Sequence, residues 1–217
     1  MRACDTRDDM RAPRTPDEAE PTTPGPRAHR RRTWWVFAAV ALVLYAADLV
    51  TKVLAVEHLT GRADVPLVGE ILQLRLIRNP GAAFSTGTGL TPVLTVVAIV
   101  AALVVLWLSR RLGSLGWAVG LGFLLAGVTG NLTDRLFRAP GVFHGHVVDF
   151  LMLPSWPIFN VADICINVAA VLIVVQAFRG MRVDGTRDRE ADEETADEES
   201  ADPSAETAVD PVSERSS

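Results

Sequence analysis

Four long apolar runs divide the chain. They are "WWVFAAVALVLYAADLVTKVLAV" at 34–56, "TPVLTVVAIVAALVVLWLS" at 91–109, "LGWAVGLGFLLAGVTGNLTDRL" at 115–136 and "FNVADICINVAAVLIVVQAF" at 159–178. Each is close to the roughly 20 residues that an α-helix needs to cross the hydrocarbon core of a bilayer. Between the first two runs the period changes. In "ILQLRLIRN" Leu72, Leu74 and Leu76 alternate with Gln73 and Arg75, a strand signature that breaks at "NPGAAFSTGTG". The pattern predicts an all-α membrane protein, a four-transmembrane-helix bundle with a small β-sheet and loop region on the outer membrane face. Residues 1–33 have no apolar period and are expected to form a disordered leader, with a membrane domain over 34–180 and a disordered tail over 181–217. On this division a chain ending at Arg182 is expected to keep its activity.

Charge orients the bundle. Residues 181–217 hold thirteen acidic residues and four arginines, net −9, while the whole chain is −5, so the first 180 residues are net +4. The acidic balance therefore belongs to the tail alone. Arg27, Arg30, Arg31 and Arg32 precede the first run, Arg110 and Arg111 separate the second and third, and Arg179 and Arg182 follow the fourth. With four spans these clusters fall on one side, which the positive-inside rule makes cytoplasmic. Both termini are then inside, and the longer connections at 57–90 and 137–158 face outward. The two cysteines, Cys4 in the leader and Cys165 in an apolar run, form no disulfide framework.

The polar residues inside this frame converge on one depth. Asp48 stands fourteen residues after Trp34, about 21 Å into a core about 30 Å thick. Asn131, Asp134 and Arg135 close the third span, and Asn160 and Asp163 open the fourth. Asn79 and Asp149 stand in the two outer loops. Ionisable residues in membrane spans face the bundle interior and mark function. Structural readings account for several of them. Asp48 and Lys52 are an i,i+4 pair, Asp134 with Arg135 suits a helix-end pair, Asn160 is a favoured N-cap and Asn79 suits a turn before Pro80. Asp149 and Asp163 have no cation nearby in sequence. Two carboxylates brought close in a poorly solvated site cannot both ionise easily, so one keeps a proton. Such a pair can act as general acid and base on a water attacking an amide. His144 and His146 could join Asp149 on a metal, but a loop pair alone fits a loop or groove better than a ligand set.

"NPGAAFS" at 79–85, "GNLTDRL" at 130–136, "GHVVDF" at 145–150, "FNVAD" at 159–163 and "DLVTK" at 48–52 together resemble lipoprotein signal peptidase (signal peptidase II), in the family's order and spacing over about 34–180. The departure is at "GVTGN", where Val128 and Thr129 separate Gly127 from Gly130 and the family has a Gly-Gly pair. The resemblance implies an aspartic endopeptidase in the bacterial cell membrane, with its active site at the outer face. It implies removal of the signal peptide from diacylglyceryl prolipoproteins, just before the lipid-modified cysteine. Asp149 and Asp163 would be the catalytic pair, Asn79, Asn131, Arg135 and Asn160 would line the site, and Asp48 would support it. Substrate and membrane lipid are the implied partners, with no metal, cofactor or nucleic acid, and the chain is expected to be a monomer. An ion-coupled transporter would place polar groups at several depths, whereas the inner halves of the second and fourth runs are almost wholly apolar.

Overall fold

The computed structural model describes residues 26–81 and 90–187. In chain order it contains α1 (Pro26–Leu59), β1 (Val65–Val68), β2 (Leu72–Asn79), α2 (Thr91–Ser109), α3 (Leu115–Phe137), β3 (Val147–Met152) and α4 (Val161–Phe178). All four helices are long and apolar enough to cross a membrane. The first differs from the expected span. Residues 26–33, assigned above to the leader, continue the helix toward the N-terminus. Nothing in "PRAHRRRT" breaks a helix, because Pro is accommodated in the first turn and Arg is a good helix former. At 34 residues α1 is about 51 Å long and so projects beyond the hydrocarbon layer.

Helix α3 is the centre of the bundle. Half of its apolar window is buried inside the protein, against 22% for each of the other three. Small residues make this possible. A Cβ on Gly122 would lie 3.0–3.1 Å from Val40 and the Phe37 carbonyl, and one on Gly127 would lie 2.5 Å from the Ala162 carbonyl oxygen. Close backbone approach is how helices associate in lipid, where burial of apolar surface gives no advantage between spans. Thr129, at the departure noted above, donates its hydroxyl to Leu125 O of its own helix at 2.6 Å and disturbs neither contact. Gly127→Ala sets a methyl against backbone that cannot rotate away. It should cost about 1–3 kcal/mol, read as a lower melting temperature in detergent.

The sheet has the order β1-β2-β3, antiparallel throughout. The expected strand at 71–79 is β2, and it recruits β3 from the connection between α3 and α4, pairing Ile77 with Asp149 and Asn79 with Val147. Alternation along β3 decides what faces where. Val148 and Phe150 bury against Ala55 and Leu59 at the end of α1, so Val147 and Asp149 point the other way. Gly145 lets the strand start directly on α3. Its N–H donates to Arg135 O, and a Cβ there would lie 2.2 Å from the Asp134 carbonyl. The turn expected after β2 falls partly on 82–89, outside the described residues.

At the opposite end the boundary of the tail moves. Residues 181–187 fold back as a turn closed by a Met181–Arg187 bridge. The Val183 carbonyl accepts from Gly113 and Ser114 N–H, and Trp117 Nε1 donates to Met181 O at 2.6 Å. A Cβ on Gly113 would lie 1.8 Å from the Asp184 carbonyl oxygen, so the clasp requires glycine there. The docked segment thus extends past Arg182. Residues 188–217 lie outside the described residues. A chain ending at Arg187 should melt like the full chain, whereas one ending at Gly180 should lose about 1–3 kcal/mol with these hydrogen bonds. Thermal unfolding of the two truncations decides between them.

Candidate active site

A cleft of about 1280 Å³ runs from the sheet to the start of α4. Asp149 of β3 and Asp163 of α4 both line it, as does Asn79 at the end of β2. Amide side chains fix the two carboxylates. Asn79 Nδ2 donates to Asp149 Oδ2 at 2.9 Å, and Asn160 Nδ2 donates to Asp149 Oδ1 at 2.6 Å. Asn131 Nδ2 donates to Asp163 Oδ1 at 2.8 Å. Asn79 is itself held by a local turn, because its Oδ1 accepts from Gly81 N–H at 2.9 Å.

Asn160 acts twice. As N-cap of α4 its Oδ1 accepts from Asp163 N–H at 3.0 Å, and Asp163 Oδ2 accepts from Asn160 N–H at 3.1 Å. This reciprocal capping box satisfies two orphan donors at the helix start and sets the Asp163 rotamer. Its Nδ2 meanwhile reaches Asp149, Val148 O and Asn131 Oδ1. The bland reading of Asn160 as a cap and the functional one therefore both hold.

Beneath the cleft lies a charged cluster. Lys52, the only lysine in the chain, is fully buried. Its Nζ sits 2.8 Å from Asp48 Oδ2, 2.9 Å from Asp134 Oδ2 and 3.0 Å from Asn131 Oδ1. Asn131 Oδ1 accepts a hydrogen bond from the ammonium, while Asp48 Oδ2, buried without a hydrogen bond of its own, is held by charge alone. Asp48 also accepts Ala162 N–H at 2.8 Å, which ties α1 to the first turn of α4. It supports the cleft from behind and does not line it. The Asp134–Arg135 pair expected from sequence is not formed. Asp134 pairs with Lys52 and Arg138 and accepts Val148 N–H at 3.2 Å. Successive residues on a helix point about 100° apart, so Arg138 at i+4 is the reachable partner.

Arg135 does not line the cleft either. Its Nη1 donates to Asn131 O at 3.2 Å, its Nε is buried without a hydrogen-bond partner, and its charge acts on Asp163, Asp149 and Asp134. His144 is exposed, with Nδ1 3.1 Å from Val142 O. Among the described residues no group of three or more His, Cys, Asp or Glu is arranged to hold a metal. The Asp48–Lys52 pair expected from sequence is formed, but sequence reasoning missed that Asp134 and Asn131 join Lys52. The available signal was a solitary lysine inside an apolar run.

The two carboxylates differ in environment. Asp149 is buried, and loss of hydration pushes its pKa from 3.8 up to about 6, with the charge of Asp163 adding to the rise and the Asn79 and Asn160 amides opposing it. Asp163 is half-buried and more open to water. A protonated acid and a carboxylate in one cleft can together activate water and protonate a carbonyl oxygen.

A four-helix membrane bundle with a carboxylate pair in an open cleft at one end defines a membrane-embedded aspartic peptidase. The chain belongs to the signal peptidase II family: the family described as "Signal peptidase (SPase) II" matches residues 40–179. The lipoprotein signal peptidase of Rhodococcus jostii is 48% identical over 171 residues, covering 79% of this chain and 85% of that one. The one from Mycobacterium avium is 47% identical over 173 residues, covering 79% and 94%. The one from Mycobacterium tuberculosis is 44% identical over 173 residues, covering 80% and 84%. Two solved structures of a bacterial membrane enzyme share the fold, each with TM-score 0.57 and 24% identity, covering 65% of this chain and 87% and 91% of theirs.

Proposed function

We propose that this chain removes signal peptides from prolipoproteins that already carry diacylglycerol, cutting just before the modified cysteine, with Asp149 and Asp163 as the catalytic pair. The observation that carries the reading is the shared cleft, in which every described carboxylate oxygen of the pair is held by a named donor. Asp163, the more open of the two, takes a proton from water as the hydroxide attacks the scissile carbonyl carbon. Asp149 gives its proton to the carbonyl oxygen. On collapse of the tetrahedral intermediate Asp163 returns its proton to the leaving nitrogen as the C–N bond breaks, and Asp149 recovers its own.

The lining supports an amphiphilic substrate. Gln73, Arg75 and Asn79 border the cleft at the sheet, while Ile164 and Val168 carry it down the face of α4. A peptide can lie across the sheet edge while acyl chains follow α4 into lipid. The active site is assigned to the outer face and both termini to the cytoplasm, on the strength of the arginines at 30–32, 110–111, 179 and 182. One chain supplies the whole cleft, which supports a monomer. The purified chain should cut a diacylglyceryl precursor to a product whose N-terminal residue, by mass, is the modified cysteine. An unmodified precursor cut equally fast would reject the lipid requirement, and a cut elsewhere would reject the site of cleavage.

A further inference from the structure

A second cleft, of about 360 Å³, lies at the end of the bundle opposite the carboxylate pair. It is formed where the first turns of α1 meet the turn between α2 and α3, and is lined by Arg30, Arg31, Trp34, Trp35, Ser109 and Arg110. Three arginines line it. Arg30 Nη2 donates to Arg110 O at 2.8 Å, which fixes α1 against the end of α2. Among the described residues none of the three makes an ion pair, and every salt bridge found lies on the far side of the molecule. The one described acid at this end, Asp184, accepts from Thr186 N and Oγ1 at 3.0 and 2.7 Å and feels the charge of Arg182. Arginines lining one cleft with no ion-pair partner among the described residues favour an anion there.

The aromatic wall narrows the class of anion. Trp34 and Trp35 pack edge to face with centroids 5.2 Å apart and remain 42% and 61% exposed. Exposed indoles next to arginines mark the depth of lipid headgroups. Both helices leave the cleft with exposed apolar side chains, Leu42 and Val43 on α1 and Leu103 and Leu106 on α2. A free phosphate uses only the guanidiniums, whereas a lipid uses the whole arrangement. Basic pockets between spans on the cytoplasmic side are a recognised form of anionic-lipid site.

We propose that this cleft binds the phosphate of an anionic phospholipid headgroup, which bridges α1 to the α2–α3 turn. The site stands apart from the peptidase cleft and does not depend on its assignment. Its test uses the full chain in phosphatidylcholine micelles, titrated with acyl-brominated phosphatidylglycerol or acyl-brominated phosphatidylcholine while tryptophan quenching is followed. Phosphatidylglycerol should quench at lower concentration, and Arg31→Gln with Arg110→Gln should weaken it by about tenfold or more. Arg179→Gln with Arg187→Gln removes the same charge from the same end outside the cleft and should leave the preference in place. Equal loss in both double variants would show bulk attraction and overturn the site, as would absence of any preference in the native chain. Displacement by inorganic phosphate at the lipid's own concentration would overturn the lipid as the ligand.

Discussion

Asp149→Asn and Asp163→Asn should each lower kcat on a diacylglyceryl precursor by about a thousandfold or more, because each removes one of the two groups proposed to transfer protons. The losses should not multiply in the double variant, since neither group works without the other. Folding has to be followed alongside. Asp163→Asn keeps an oxygen for the capping box, but the amide nitrogen it introduces then faces a donor, either Asn131 Nδ2 or Asn160 N–H. A loss of about 1–2 kcal/mol in stability is expected from that conflict. A variant that melts normally and retains a tenth of native turnover would remove its residue from the catalytic pair.

Asp149 also carries a pH signature. Its folded pKa of about 6 lies above the ordinary 3.8, so the folded state holds a proton that the unfolded state releases. The stability from this group is complete below pH 3.8 and is lost as pH rises through about 6. The difference amounts to about 3 kcal/mol by pH 7.5. The native chain should therefore melt lower at pH 7.5 than at pH 4.5, and Asp149→Asn should flatten that difference. Activity follows the same proton. With Asp149 as the acid, kcat/KM should fall on the alkaline side with an inflection near pH 6, and the limb in kcat should lie higher because bound substrate displaces water. An alkaline limb of kcat/KM that stays in place in Asn79→Ala, which removes the hydrogen bond that Asn79 Nδ2 donates to Asp149, would argue against Asp149 as its source.

Local pattern carried much of this architecture. Apolar runs marked all four helices, and alternation at Leu72, Leu74 and Leu76 marked β2. Asp149 and Asp163 stood out because neither had a cation within helical reach, and the structure places both on one cleft. What local pattern could not carry is pairing across distance. β3 reads "VVDFLM", too short and too apolar to announce a strand, and it becomes one by pairing with β2 about seventy residues earlier. The Asp134–Arg135 expectation failed for a related reason. Neighbouring charges in sequence diverge on a helix, and the partners of Asp134 are Arg138, one turn on, and Lys52, on a helix far away in the chain. The docked turn at 181–187 was invisible because its own groups in the docking are backbone carbonyls, met by Gly113 and Ser114 N–H and Trp117 Nε1, and any residue type offers those.

Lys52→Met should cost about 3–5 kcal/mol, more than any other single change in the bundle, because it strands buried charge that water cannot reach. Asp48 and Asp134 would face each other without the ammonium that now sits 2.8 and 2.9 Å from them. Arg138 still balances Asp134, so the uncompensated group is Asp48. Adding Asp48→Asn to Lys52→Met should therefore recover much of the loss, a coupling of about 1–3 kcal/mol in a double-mutant cycle read by thermal or denaturant unfolding. Additive losses would mean that the ion pair contributes packing alone. Activity distinguishes positioning from stability. Lys52 Nζ and Asn160 Nδ2 both donate to Asn131 Oδ1, which turns the Asn131 amide so that its Nδ2 meets Asp163. In the double variant one of those two donors is gone, so the Asn131 amide is less firmly oriented. A chain that has regained stability should still turn over more slowly than the native one, with the loss in kcat rather than KM, because Lys52 lies beneath the cleft and not on it. Full recovery of kcat together with stability would confine Lys52 to holding the helices together.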